Sequence, residues 1–283
     1  MSIHAIGIDF SERGAIAVAI DAQGSVIRHA TGAVADLARL PRDVGATKGS
    51  ILGVAADAAH TVAVEATLSK SRPHISNPGM AAIVAESWVG AAKDARHAIC
   101  LWIGDRVFAG LMLDGKPWTG AHGLAGSAAW LALNPVERQD YRRFGSLAAE
   151  VSNAGIARRL CWRIESGDLS AVLDRAGGLD KITANDVFEG ARSGDGVAIS
   201  VVRDTAKYVG MAIANLAAAI DPDIVVVAGD LAASGDLLFT PIAQECARRL
   251  PPSLVPEFRL ELSPLGAHSV AIGAARLAAT AAA

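Results

Sequence analysis

The order in which strand-like and helix-like segments alternate is the feature that most constrains this fold. The chain opens with three short strand-like segments separated by turn residues, at 3–9, 15–20 and 26–29. A helical pattern at 80–88 comes next, and two strand-like segments follow it at 98–103 and 107–113. Further helical patterns surround a fully apolar segment at 224–227. This alternation predicts a fold of mixed α/β layers.

Composition excludes several classes of protein. Of 283 residues, 52% are hydrophobic and 19% charged, which suits a packed core and not a disordered chain. The net charge of -3 lacks the basic excess that a nucleic-acid-binding face needs. No basic and then apolar leader opens the sequence, and no apolar run is long enough to span a bilayer. We therefore expect a cytoplasmic protein that binds neither nucleic acid nor membrane, with its three separated cysteines as free thiols.

Local signals place several elements. Asn77-Pro78 is a helix start, because Asn can accept a backbone hydrogen bond as N-cap and Pro at the first helical position loses none. The longest helix is predicted at about 196–220. Within 31–75 the pattern predicts three short elements, a helix at 34–40 and strands at 51–55 and 61–65.

A glycine-rich segment, TGAHGLAG at 119–126, follows a hairpin-like stretch at 111–116. Three glycines within it let the backbone turn tightly where a side chain would clash. By spacing alone, such a segment is more often a plain turn than a ligand loop. Read with the preceding DGK and Trp118, however, it resembles the segment that identifies the ROK family of sugar kinases and sugar-responsive repressors.

Three further segments resemble the family in the family's order. They are the first phosphate-loop hairpin at Ile6–Asp9, the substrate-side helix at 80–96, and the adenosine-side strand and loop at 221–237. The resemblance implies a two-lobed actin/hexokinase-type (ribonuclease H-like) α/β fold with a central cleft.

The resemblance also implies where the two lobes begin and end. The N-terminal lobe would take 1–97 and the terminal helix at about 268–283, and the C-terminal lobe would take 98–267. The stretch 31–75 matches the family poorly. Homodimers formed through the C-terminal lobe are also implied.

The family's catalytic base is an Asp directly after an Asn, and Pro78 stands at that position, after Asn77. Proline offers no proton acceptor, and general-base catalysis contributes roughly 10²–10⁴-fold to such reactions. A second alignment, through Glu65, puts Thr67 there instead. We therefore predict no catalytic residue, and we assign Asn77 to sugar binding on the resemblance alone.

The family's glycine-rich phosphate turns are altered here. Ser11-Glu12-Arg13, Gly104-Asp105-Arg106 and Ala228-Gly229-Asp230 stand where the family has glycines. Gly104 and Gly229 remain as candidate cofactor-binding residues. Backbone N–H groups that approach a phosphate need such glycines and no nearby negative charge.

Asp9 is the third cofactor candidate, because it stands where the family's Asp meets Mg²⁺–phosphate. Its other interpretation is a strand-end residue that caps the turn at Ser11. The acids Glu12, Asp105 and Asp230 either pair with Arg13 and Arg106 to close the nucleotide cleft or are solvated surface charges.

The family's sugar ligands are also replaced: Ser127, Trp130 and Ala148 stand where it has Glu, His and Glu. Trp130 either fills the pocket or, less commonly, stacks on a ligand. His122 is kept as a candidate sugar-binding residue, although a His in such a loop is more often a turn residue. Residues 130–148 contain neither Cys nor His, so we predict no zinc.

Three hypotheses follow. The first is a ROK-family sugar-kinase homologue that has lost phosphoryl transfer and binds a small, sugar-like ligand or a protein partner. The second is an active kinase for a hexose or amino sugar, with Mg-ATP as co-substrate and a relocated base such as Asp57, Glu65 or Glu86. The third is the sugar-sensing part of a repressor. It requires a DNA-binding segment, and we find none ahead of the first strand.

Overall fold

Two five-stranded sheets organise the chain, and the computed structural model describes residues 2–283. The strands are β1 Ala5–Ser11, β2 Gly14–Ile20, β3 Val26–Gly32, β4 Leu52–Ala55, β5 His74–Ser76, β6 Ala98–Ile103, β7 Val107–Leu113, β8 Lys116–Pro117, β9 Ile224–Ala228 and β10 Leu260–Leu262. The helices are α1 Leu40–Asp43, α2 Thr61–Leu68, α3 Pro78–Val89, α4 Gln139–Phe144, α5 Ser146–Val151, α6 Asn153–Glu165, α7 Ala171–Ala176, α8 Ala184–Arg192, α9 Gly196–Ile220, α10 Gly235–Arg249 and α11 Ser269–Ala282. The predicted α/β class is confirmed.

The first sheet has the order β3-β2-β1-β4-β5, and its first three strands form the predicted antiparallel meander. Strands β4 and β5 then add in parallel. Side chains alternate across β1: Ile6, Ile8 and Phe10 belong to one apolar core, whereas Ala5 packs into another with α11. Both faces of this sheet are therefore covered.

Glycines let α11 lie directly on backbone. A Cβ atom on Gly7 of β1 would stand 1.8 Å from the Ala271 carbonyl oxygen, and one on Gly53 of β4 would stand 1.9 Å from the Ala274 oxygen. On the α3 side, a Cβ on Gly273 would lie 1.7 Å from the Ala81 oxygen. No side chain can occupy these three positions without moving the helix.

The second sheet has the order β10-β9-β6-β7-β8. Helix α9 forms where the 3.6-residue spacing predicted it. Asp195 caps its start by accepting from the N–H groups of Val197 and Ala198, and Asp221 ends it in a left-handed conformation (φ 52°) before Pro222. Glu245 of α10 packs where Gly210 of α9 has no side chain.

The chain divides into two compact units, and the division falls within β6 and β7. The first unit holds 1–100, 110–126 and 263–283, and the second holds 101–109 and 127–262. The sequence-based lobe boundaries differ from these by assigning 98–100, 110–126 and 263–267 to the second lobe.

Two local predictions within 31–75 are wrong. Thr61–Glu65 is the first part of helix α2 and not a strand, because Val64 and Leu68, four residues apart, bury one helical face. The short helix predicted at 34–40 is a single 3₁₀ turn at Val34–Asp36, and α1 begins only at Leu40. Within residues 2–283, no helix combines the length and the apolar character that crossing a bilayer requires.

Candidate functional site

Asn77 and Pro78 begin helix α3, at the position where the family resemblance predicts the catalytic pair. The Asn77 Oδ1 accepts a hydrogen bond from the Met80 N–H at 2.6 Å. Pro78 is buried in the first helical turn. The predicted helix cap is therefore present, and it engages the side-chain oxygen of Asn77.

Asp9 lies near the end of β1, where it is 7% exposed. The turn beyond it is a two-residue hairpin, since Ser11 pairs with Gly14. The Ser11 hydroxyl holds this turn by donating to the Gly14 carbonyl at 3.2 Å and accepting from the Arg13 N–H at 3.3 Å. The assignment of Asp9 to Mg²⁺–phosphate binding stays a prediction.

The glycine-rich segment 119–126 is a tight turn in the first unit. Gly120, Gly123 and Gly126 all have positive φ, at 75°, 70° and 84°, which non-glycine residues seldom adopt. The Ala125 N–H donates to the Thr119 carbonyl at 2.9 Å. His122 is exposed at the tip, and its assignment to sugar binding stays a prediction.

In the second unit, Asn153 joins two of the predicted nucleotide loops. Its Nδ2 donates to Asp105 Oδ1 at 3.1 Å and to Asp230 Oδ2 at 2.7 Å. Its backbone N–H donates to the Gly104 carbonyl at 3.0 Å. Because Asn153 is the first residue of α6, two carboxylates are held at a helix N-terminus, the end of a helix that attracts negative charge. We call Asp105, Asn153 and Asp230 the loop cluster.

The two candidate cofactor glycines lie beside this cluster. A Cβ atom on Gly104 would stand 2.7 Å from Asp230 Oδ2. Gly229 has φ 85°, and a Cβ there would stand 2.4 Å from the Ile103 carbonyl oxygen. The backbone at the end of β6 thus leaves no room for a side chain at position 229, and the Asp230 side chain occupies the space beside Gly104. Their assignment to cofactor binding stays a prediction.

Arg106, one of the two arginines considered as partners for the acids, lies with its guanidinium 5.3 Å from the Phe108 ring centre. Phe108 in turn stacks on Trp102, with the rings 3° from parallel. The pairing of Arg13 and Arg106 with the acids stays a prediction.

Trp130, at the position of the family's zinc and sugar histidine, is 59% exposed. The expectation that its ring fills a pocket is therefore wrong, since most of it faces solvent. Among residues 2–283, no group of three His, Cys, Asp or Glu side chains is arranged to hold a metal ion. The residues at 130–148, where the family holds its zinc, do not fit that ion, because none of them carries a thiolate or an imidazole.

Glu86, considered as a relocated base, is a buried structural acid. Its carboxylate accepts from the Ala91 N–H at 3.1 Å and from the hydroxyls of Ser263 and Ser269. Burial raises the pKa of this carboxyl, and these hydrogen bonds offset the rise only in part. Of the other two candidates, Glu65 is exposed on α2 and Asp57 is half-buried in the segment before it.

Asn153 is a residue of this site that the sequence pattern did not indicate. The available signal was its position directly after Ser152, which caps α6 by accepting from the Gly155 N–H at 3.2 Å. A side chain at such a helix start can reach neighbouring loops. Its partners, however, are 48 and 77 positions away along the chain.

Comparison with known proteins places the chain in a family. The model of the ROK family matches residues 60–281. A glucokinase of Halalkalibacterium halodurans is 30% identical over 204 residues, which are 70% of this chain and 61% of that enzyme. The DNA-binding transcriptional dual regulator NagC of Escherichia coli is 27% identical over 196 residues, 68% of this chain and 46% of the regulator. The chain thus spans less than two thirds of the length of these two relatives.

One solved structure agrees over nearly the whole fold. It is that of a ROK family glucokinase from Streptomyces griseus in complex with glucose and AMPPNP. The two share a TM-score of 0.82 at 23% identity, over 96% of this chain and 98% of that one. At this identity the likeness shows the fold, and it confirms the expected two-lobed fold of the actin-like sugar kinases. The chain belongs to the ROK family.

Proposed function

We propose that this ROK-family chain is a sugar-kinase homologue that has lost phosphoryl transfer and acts by binding a small, sugar-like ligand or a protein partner. The observation that carries the proposal is the loop cluster. Its two carboxylates stand in loops where the family resemblance predicts glycines and phosphate.

Charge supports this interpretation. A negative phosphate about 4 Å from one like charge costs about 1 kcal/mol in water and about 4 kcal/mol at an effective dielectric constant of 20. Asn153 donates to Asp105 and Asp230 at hydrogen-bond distance and so holds both in place. A nucleotide would have to displace these carboxylates or tolerate their repulsion.

The catalytic base supports it independently. Pro78 is buried in the first turn of α3, and its ring has no atom that accepts a proton. Without a general base, a loss of roughly 10²–10⁴-fold in rate is expected even where substrates bind. Loss at two separate steps, phosphate binding and proton removal, favours a changed role over a slow enzyme.

Thermal unfolding with Mg-ATP, with single hexoses and amino sugars, and with both together tests the proposal. A ligand at 100 times its dissociation constant stabilises the native state by about 2.7 kcal/mol, which moves the melting temperature by several degrees. We expect no shift with Mg-ATP and no sugar-dependent ADP release. The glucokinase of Halalkalibacterium halodurans serves as the positive control.

A pair of variants makes this test specific to the cluster. The variant D105T/D230G restores residues of the family pattern and is expected to increase ATP binding. The variant D174T/D180G removes the same charge from exposed positions of the same unit and is expected to change nothing. An ATP-dependent shift of the unmodified protein, enlarged by one sugar and accompanied by ADP release, would overturn the proposal.

The second candidate function is an active ATP-dependent kinase for a hexose or amino sugar. The specific observation in its favour is the 30% identity to a glucokinase. It requires a carboxylate near the sugar; Asp57 and the exposed Glu65 remain as candidates because Glu86 is buried, and Asp57 is tested first. Retained ADP release that Asp57→Asn abolishes and Asp43→Asn does not would establish this function instead.

We further propose that the protein is a cytoplasmic homodimer and that this chain does not bind nucleic acid. Its lobes are proposed at 1–97 with 268–283, and at 98–267, as the family resemblance implies. The free cysteines Cys100, Cys161 and Cys246 support a reducing compartment. The dimer rests on the family resemblance, and sedimentation velocity tests it.

A further inference from the structure

A second region of the second unit carries two cavities that share residues. Their volumes are about 420 and 440 Å³, within the range of ordinary small-molecule sites. Helices α6 and α9 and the stretch before α4 supply most of the lining. The residues that line both cavities are Arg138, Glu150, Arg159 and Trp162. None of them belongs to the loop cluster or to the α3 start.

A buried carboxylate forms the floor of this region. The Glu150 side chain is 3% exposed, and the Tyr141 hydroxyl donates a hydrogen bond to it. Arg138 Nη1 and Arg159 Nε lie 3.5 and 3.6 Å from its two oxygens. The negative charge of Glu150 is therefore balanced within the protein, which a buried charge requires.

Arg159 has one donor that the described residues do not satisfy. Its Nη2 donates to the Thr205 hydroxyl, and its guanidinium lies 5.9 Å from the Tyr208 ring centre. Its Nε–H is buried and, within residues 2–283, has no hydrogen-bond acceptor, because Glu150 is too far for one. Buried donors of this kind nearly always have a partner, and a ligand oxygen brought beside Arg159 would supply one.

Charge along the wall favours an anion. The basic side chains that line the first cavity outnumber the acidic ones: Arg138, Arg159, Arg163 and Lys207 against Glu150 and Asp204. Lys207 is paired with Asp204 at 3.0 Å, and Arg163 is paired with Asp168 outside the wall. Arg138 and Arg159 together face the single carboxylate of Glu150, so the wall keeps one net positive charge, and the 60% exposed Arg138 presents it to a ligand.

An aromatic face completes the site. Trp162 is 64% exposed although it lines both cavities. Met211 and Val201 of α9 add apolar surface to the first cavity. An exposed indole beside arginines is suited to stack on the flat face of a ring.

We propose that this region binds a small phosphate monoester that carries a ring, with the phosphate at Arg138 and Arg159 and the ring on Trp162. A phosphate is favoured over a carboxylate because its three terminal oxygens can accept from both guanidinium groups at once. This proposal does not depend on the proposed loss of phosphoryl transfer, because the two cavities share no residue with the loop cluster or with the start of α3.

Calorimetric titration of the whole 283-residue chain tests the proposal. The probes are phenyl phosphate and glucose 6-phosphate. Two controls accompany them: inorganic phosphate, which is an anion without a ring, and glucose, which is a ring without a charge. We expect at least one ester to bind more tightly than either control. Arg138→Gln should weaken that binding by about tenfold or more, and Trp162→Ala by about fivefold, whereas Trp162→Phe should recover part of the loss.

Two further variants separate the site from general charge and from folding. Arg142→Gln removes another exposed arginine, which lines neither cavity, and should leave affinity within about twofold. Arg159→Lys keeps the charge, lacks the Nε–H, and should weaken binding while circular dichroism remains unchanged. Equal binding of inorganic phosphate and both esters, equal losses in Arg142→Gln and Arg138→Gln, or no binding of either ester would each overturn the proposal.

Discussion

The side-chain amide of Asn153 lies 2.7 Å from the carboxylate of Asp230, although 77 positions separate the two residues. The same nitrogen also reaches Asp105. Asn153→Ala removes the donor that both carboxylates share, so it should lower the free energy of unfolding by about 1 kcal/mol, more at low salt than at high salt. Urea unfolding at two salt concentrations measures this. Asn185→Ala, exposed on α8, is the control, and an equal loss there would contradict the assignment.

The start of α3 provides a second prediction. Asn77→Ala removes the cap on the Met80 N–H and should destabilise the protein by about 1 kcal/mol. Asn77→Ser keeps a capping oxygen and should retain most of the stability. Equal losses in both variants, in urea unfolding, would show that the side chain of Asn77 does something other than cap the helix.

Glu86 makes stability depend on pH. Burial raises its pKa in the folded protein above the ordinary value of 4.5, so the folded state binds the proton more tightly than the unfolded state. Its stabilising contribution is fully present below pH 4.5 and is lost as pH rises through the folded pKa. Glu86→Gln should therefore flatten the decline of stability above pH 4.5, although its absolute stability falls because an amide group faces the Ala91 N–H.

Urea midpoints across that pH range measure the effect, with the exposed Glu65→Gln as the control. Parallel pH profiles for the wild type and Glu86→Gln would show that Glu86 does not titrate in this range.

Tyr141 predicts a separate effect at alkaline pH. Its burial, together with its hydrogen bond to Glu150, raises its pKa from 10.0 to about 12. The folded state therefore keeps the phenol proton where the unfolded state loses it, and stability falls as pH rises from 10 to 12. Tyr141→Phe should reduce this decline and should cost about 1.5–3 kcal/mol at neutral pH, because Glu150 loses a donor.

Guanidinium unfolding combined with tyrosinate absorbance checks this. An alkaline decline that Tyr141→Phe leaves unchanged would contradict the assignment to Tyr141.

Gly273 allows a packing prediction. A methyl group there would collide with the Ala81 carbonyl oxygen, so Gly273→Ala should destabilise by about 3 kcal/mol. Gly196→Ala, with open space around its Cβ position, should be neutral or slightly stabilising. Thermal unfolding of the two variants decides whether α11 must lie directly on α3.

Local signals predicted the fold where they agreed with each other. Helix α9 combines apolar residues at helical spacing with the stop at Asp221-Pro222, and its bounds follow from both. The segment 61–65 lacks such agreement, because alternation over five residues is also compatible with the helix that forms.

The candidate site was only partly predictable for a different reason. The cap at Asn77 is local and was predicted. The loop cluster joins residues far apart along the chain, and neither propensity nor spacing reports such pairs. The pairing of Arg159 with Glu150 is hidden in the same way, since it depends on how α5 and α6 pack. Sequence signals thus predict where helices and strands end, but they do not predict which side chains of different elements come into contact.

Helix α11 packs directly against the backbone of β1 and β4, and this affects how the chain can fold during synthesis. Strands β1 and β4 are made before the helix that covers Gly7 and Gly53, and most of the second unit lies between them in the chain. The second unit is nearly continuous over 127–262, so it can fold on the ribosome while the first unit still lacks one of its layers. A chain released before residue 269 would expose one apolar face of that sheet. Termination of translation before α11 is made should therefore yield a product that aggregates, not a shorter functional protein.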